Sequence, residues 1–155
     1  MAENYQKLLT FTLGKEDYGV SILKVREIIG MMEITPVPKT PDFIKGVINL
    51  RGKIIPVMDL RTKFSMEPKE YDDRTCIIVA EVIIKGAQKL LGVVVDAVSE
   101  VVTIADDQIE PPPKYGMSVE HNSILGIGKL KDRVVIIIDI DEIFICEELV
   151  KMVEN

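Results

Sequence analysis

Three short blocks of this chain occur twice in the same order, and that repetition constrains the fold more than any single residue does. Gly19, Val20, Ile22, Val25, Glu27 and Ile28 return 73 positions later as Gly92, Val93, Val95, Val98, Glu100 and Val101. Residues 34–38, ITPVP, return as residues 109–113, IEPPP, at a spacing of 75, and residues 54–60 return as 134–140 at a spacing of 80. An offset that grows slowly along the chain fits a duplicated unit with small insertions. Each copy holds about five short β-branched segments, enough to close into a small barrel with few unpaired edges. The expected fold is therefore mainly β: two five-stranded barrels related by internal duplication, with short helices and a C-terminal helix.

The best-defined hairpin lies in residues 43–60, FIKGVINLRGKIIPVMDL. Two apolar runs flank Arg51-Gly52-Lys53, a pattern that predicts two strands and a tight turn carrying an arginine. A first hairpin is expected from residues 8–13 and 18–22 around the turn 14–17, then a short helical turn at 21–24 and a strand over 25–31. Residues 1–7 are polar and expected to fray. The two proline segments are expected to run extended outside the sheets, because proline removes a ladder donor. Asp59 and Asp139 each precede a helical pattern, and Asp139 with Glu142 resembles a capping pair. The resulting division is one domain over 1–155, with a first barrel at 8–66, a charged connector at 66–73, a second barrel at 74–139 and a helix at 140–153. Strand exchange between the barrels is compatible with it.

Composition narrows the function classes. The 155 residues suffice to bury roughly two-thirds of the unfolded surface without staples. Cys76 and Cys146 have no CxxC or histidine partner nearby and are read as reduced core thiols. The chain carries 19 Lys and Arg against 25 Asp and Glu, a formal charge of −6 with no basic block, which argues against a nucleic-acid partner. The first residues lack a signal-peptide pattern, and the apolar run 134–138 is far too short to span a bilayer. A cytoplasmic, soluble protein without membrane insertion is expected.

The motifs that suggest chemistry each have a simpler structural reading. Asp139, Asp141, Glu142, Glu147 and Glu148 have the residue types of paired carboxylates or hard-metal ligands, yet acids at a helix start are explained by the macrodipole. Residues 46–53 fail as a P-loop: five residues separate Gly46 from Gly52, and Ile54 stands where Ser or Thr should hold magnesium. Gly126-Ile127-Gly128 lacks the third glycine of a dinucleotide fingerprint. His121 sits in a polar stretch without a nucleophile elbow and is read as a surface loop residue. No enzyme constellation and no cofactor or metal site emerges. Arg51 is either an interface anchor or a solvated hairpin tip. Glu27 and Glu100 are either exposed alternation positions or halves of ion pairs.

Residues 11–28 (FTLGKEDYGVSILKVREI), 35–61 (TPVPKTPDFIKGVINLRGKIIPVMDLR) and 91–101 (LGVVVDAVSEV) resemble the CheW family of bacterial chemotaxis coupling proteins. The likeness runs from about residue 8 to residue 149. It implies two SH3-like five-stranded barrels around a shared core. It also implies a non-catalytic adaptor between the regulatory domain of the histidine kinase CheA and the cytoplasmic hairpin tip of chemoreceptors, recruited to membrane receptor arrays through those partners. By matching position, it implies partner contacts at Val25, Glu27, Gly46, Arg51 and Val101, with Val25 and Val101 as paired apolar positions of the two copies and Arg51 near Glu27. The chain departs from the pattern at residues 81–89, a longer hairpin, and at Lys131-Asp132, which replace the Arg-Gly of the first copy. The alternative from another class is a small-barrel enzyme or ligand-binding module.

Overall fold

The computed structural model describes residues 4–112 and 123–143. In chain order these form β1 (Tyr5–Leu13), β2 (Glu16–Ser21), β3 (Val25–Gly30), β4 (Ile44–Leu50), β5 (Lys53–Asp59), α1 (Leu60–Lys63), β6 (Cys76–Ile84), β7 (Ala87–Val95), β8 (Ala97–Ala105), β9 (Ile109–Glu110), β10 (Ile124–Lys129), β11 (Val134–Ile138) and α2 (Ile140–Ile143). Tyr5, Gln6 and Lys7 pair with β8 rather than fraying, so the first strand begins three residues earlier than its apolar run. Of the helix expected over 140–153, Ile140–Ile143 form α2, and residues 144–153 lie outside the described residues.

The strands assemble into a five-stranded sheet in the order β3-β6-β7-β5-β4 and a six-stranded sheet in the order β8-β1-β2-β11-β10-β9. The duplication is visible strand by strand. β3, β4, β5, β6 and β7 occupy the places that β8, β10, β11, β1 and β2 hold in the other sheet. Each sheet contains one parallel pair, β5 with β7 and β11 with β2. A division at residues 66–73 does not describe these sheets. One is built from residues 25–95 and the other from both ends of the chain, because the hairpin β6–β7 docks beside β5 and the hairpin β1–β2 docks between β8 and β11. Two crossovers join the sheets, at Ile22–Lys24 and at Asp96.

Each barrel encloses its own apolar cluster and a larger one lies between them. Ile48, Ile55, Val57, Ile77, Val79 and Val94 fill the first, and Leu8, Ile104, Val135 and Ile137 fill the second. Leu9, Phe11, Met58, Leu60, Ile78, Leu91, Val93, Ile138 and Ile140 belong to the shared core. Ile77 thus faces the barrel interior while Ile78 faces the shared core, which is why residues 76–84 read CIIVAEVII without clear alternation: both faces of β6 are buried. Phe11, Tyr18 and Phe64 stack in series with centroid separations of 5.8 Å, fastening the chain after α1 onto the first hairpin.

The proline segments are not outside the sheets. Thr35 bridges Val47 in both directions at 2.9 Å, and β9 pairs with β10 through Glu110 and Ile127. Pro36 and Pro111 follow these paired residues at the sheet margins, where a missing N–H breaks no interior ladder. The paired residues face matching glycines. Gly46 and Gly126 each sit at a bulge, and a Cβ there would lie 2.0 Å from the Thr35 carbonyl and 2.7 Å from the Glu110 carbonyl respectively.

Candidate functional site

The β4–β5 turn holds Arg51 and Gly52 at φ 51° and 89°, positive at both central positions as a two-residue turn between twisted strands requires. Asn49 Oδ1 accepts from the Gly52 amide at 2.9 Å and fixes the turn. β3 and β4 are the two margins of the five-stranded sheet, and the turn carries Arg51 across the opening between them. There Arg51 Nη2 forms an ion pair with Glu27 Oε1, and Nη1 lies 3.4 Å from Oε2. One reading left open by the sequence is thereby decided, since Glu27 is half of an ion pair; its partner Arg51 sits at a hairpin tip that stays largely exposed to solvent. The hydrogen bond it donates to Glu27, and after it the charge of that carboxylate, push the Arg51 guanidinium pKa upward. Arg51 keeps 70% of its side chain exposed while Glu27 keeps 32%, so the guanidinium face stays available to a partner. Below the pair lies a depression lined by Leu50, Ile55, Val79 and Leu90.

The second barrel closes in the same manner with a different cation. Glu100 on β8 accepts from Arg133 Nη2 at 2.8 Å, and Arg133 Nη1 lies 4.0 Å from Asp17. Comparison of the turns by sequence pointed to Lys131 as the counterpart of Arg51. The structure instead uses Arg133, on the far side of the turn. The repeat of Glu27 in Glu100 was the only sequence signal for this pair.

Val25 and Val101 do not occupy equivalent positions. Val25 pairs with Ala80 and packs half-buried against the shared core, and its counterpart is Val98, which does the same. Val101 is 50% exposed on β8, and its counterpart is Ile28, 43% exposed on β3. The error is one of register, since the two pairs share the spacing of 73 positions. The apolar positions displayed by both copies are Ile28 and Val101, joined by Ile54 at 63% and Val134 at 54%. Gly46 is buried at φ 143° under the Thr35 carbonyl, so it presents no surface of its own and acts by letting residue 35 approach.

Other polar groups take structural roles. Asp59 Oδ1 accepts from the Arg61 amide at 2.9 Å and the Thr62 amide at 3.5 Å, while Oδ2 accepts from the Tyr71 hydroxyl at 3.0 Å. Burial, and after it the charge and hydrogen bond of Asp59, push the Tyr71 pKa well up. Asp139 accepts from the amides of Asp141 and Glu142, the cap expected there. Cys76 is half-buried at the start of β6 with Sγ 3.1 Å from the Arg74 carbonyl, not deep in a core; Cys146, His121, Glu147 and Glu148 lie outside the described residues. Among the described residues no helix is long and apolar enough to cross a membrane.

Comparison with known proteins gives a consistent picture. Residues 7–147 match the model of the CheW-like domain. The chain is 43% identical over 150 residues to a chemotaxis protein CheW of Klebsiella aerogenes, covering 97% of this chain and 87% of that one. It is 34% identical to a chemotaxis protein CheW of Rhizobium meliloti over 92% of this chain and 90% of the relative. The crystal structure of the scaffolding protein TtCheW from Thermoanaerobacter tengcongensis superposes with a TM-score of 0.82 at 38% identity, covering 93% of this chain and 95% of that one. Duplicated barrels, a shared core and these likenesses together assign the fold as two SH3-like subdomains, and the chain belongs to the CheW family of non-catalytic chemotaxis scaffolding proteins.

Proposed function

We propose that this chain couples the cytoplasmic hairpin tip of a chemoreceptor to the regulatory domain of the histidine kinase CheA, and reaches membrane receptor arrays through those partners. The observation that carries this reading is the Glu27–Arg51 pair, held on a turn braced by Asn49 with the guanidinium exposed beside apolar residues of the first barrel. A planar, exposed arginine beside apolar surface is the residue type found at interface anchors. In this reading Glu27 and Arg51 confer specificity, and Val101 together with the half-buried Val25 supplies apolar contact for a helix face laid along the molecule. Gly46 contributes by shaping the β4 margin beneath Arg51.

A pull-down of purified chain with an isolated kinase regulatory domain and with a receptor hairpin tests the proposal. Binding to both at micromolar concentration is expected, and absence of binding to either would remove its basis.

A further inference from the structure

Two ion pairs lie at equivalent places on opposite sides of the shared core, and their polarity is reversed. On one side Arg61, the second residue of α1, donates from Nε and Nη2 to the two oxygens of Asp96 at 2.7 Å each. Asp96 is the crossover from the five-stranded to the six-stranded sheet, and its Oδ2 also accepts from the Gly14 amide in the β1–β2 turn at 2.7 Å. On the other side Asp141, the second residue of α2, binds Lys24 Nζ at 2.7 Å. Lys24 ends the opposite crossover, and Asp141 Oδ1 accepts from the Ile83 amide near the end of β6 at 3.0 Å. The duplication maps Arg61 onto Asp141 and Gly14 onto Ile83, and it maps Asp96-Ala97 onto Leu23-Lys24. In both places a carboxylate grips the far hairpin of the other barrel, but once it comes from the crossover and once from the helix.

We infer that these two charge-swapped latches are positioning elements that set the angle between the barrels, the Lys24–Asp141 latch being the one that yields. Apolar packing across the shared core is non-directional and tolerates small sliding, whereas a carboxylate held by both a cation and a fixed amide does not. The latches are unequal. Arg61 and Asp96 keep 15% and 10% of their side chains exposed and meet through two parallel bonds, while Lys24 and Asp141 keep 31% and 30% and meet through one. A forked guanidinium pair fixes orientation that a single ammonium contact leaves free. The consequence for coupling rests on the adaptor reading above: the Glu27–Arg51 pair and Val101 lie on different barrels, so their separation follows this angle.

Residual dipolar couplings of backbone amides, fitted separately to the strands of each barrel in the isolated chain, test the inference. The parent chain is expected to give one alignment tensor for both barrels. Asp141→Ala removes the Lys24 contact and the Ile83 acceptor together, and should split the fit into two tensors while unfolding stays cooperative. Asp96→Ala, on the forked side, removes the Arg61 contact and the Gly14 acceptor together and should split the fit further than Asp141→Ala does, while Lys24→Met removes only the single cation and should split it less. A shared tensor in Asp141→Ala, or a larger split in Lys24→Met than in Asp96→Ala, overturns the inference. Because no partner is present, this outcome is separate from the pull-down result.

Discussion

Glu27 and Arg51 meet across the opening between the two margins of the five-stranded sheet, so one ion pair both closes a barrel and displays a guanidinium. Glu100 and Arg133 repeat the closure in the other barrel, with only 22% of the arginine exposed. The first pair is therefore the more accessible of the two, and a partner that reads the arginine face should distinguish the barrels on that ground.

Arg51→Ala should separate display from closure. An exposed pair contributes little to folding, so the thermal midpoint is expected within about 3 °C of the parent. Affinity for the receptor hairpin should fall about tenfold, as for an anchor arginine at an interface. Calorimetry and titration of the hairpin measure the two quantities. A large drop in midpoint with unchanged affinity would reassign Arg51 to closure alone.

Gly46→Ala should be far more damaging to the fold. The added Cβ would sit 2.0 Å from the Thr35 carbonyl on a backbone at φ 143°, and backbone atoms cannot swing aside as a side chain would. A loss of about 3 kcal/mol is expected from strain and the displaced bridge. Urea unfolding checks this, and any loss of partner binding in this variant should track the unfolded fraction.

Asp96→Asn should flatten the acid side of the stability profile. Burial alone would raise the Asp96 pKa, but the Arg61 hydrogen bonds and the Gly14 amide outweigh it, and the carboxyl is held below its ordinary value. The native state then binds fewer protons than the unfolded chain, so stability from this group is full above the unfolded pKa of about 4 and is lost as pH falls through the lower native value. The variant is expected to be about 3 kcal/mol less stable at neutral pH, since it leaves Arg61 without its charge partner. That deficit should shrink on acidification; denaturant melts between pH 7 and pH 2 would show whether it does.

Tyr71→Phe addresses the alkaline side. A phenol whose native pKa is raised stabilises the fold below its unfolded pKa of about 10, and the contribution disappears as pH rises beyond it. The parent should therefore lose stability more steeply above pH 10 than the variant. At pH 7 removal of the bond to Asp59 should cost about 1 kcal/mol.

Much of this architecture was legible as pattern. The repeats at 19–28, 34–38 and 54–60 identify strands that are superposable by the fold's own symmetry, and the two-residue turn at Arg51-Gly52 follows from its chemistry. The proline segments join the sheets because proline forbids donation only at its own nitrogen, and the residues just before it, Thr35 and Glu110, pair with Val47 and Ile127. Pairing Val25 with Val101 conflicts with the repeat itself, whose spacing of 73 matches Val25 to Val98 and Ile28 to Val101, and burial agrees with the repeat: Val25 packs against the shared core while Val101 is half exposed.

Local sequence determined what depends on neighbours in the chain: strand identity, turn type, the aspartate caps of α1 and α2, and the family to which the chain belongs. Tertiary structure alone decided which strands share a sheet, that Arg133 rather than Lys131 answers Glu100, and that Arg61 meets Asp96 while Asp141 meets Lys24. The physical reason is sequence distance. Caps and turns join residues within a few positions of each other, but the pairing of sheet margins and crossovers joins residues tens of positions apart. An ion pair keeps its stabilising sign when its two charges trade places, so the repeat preserved the contact without preserving the residues.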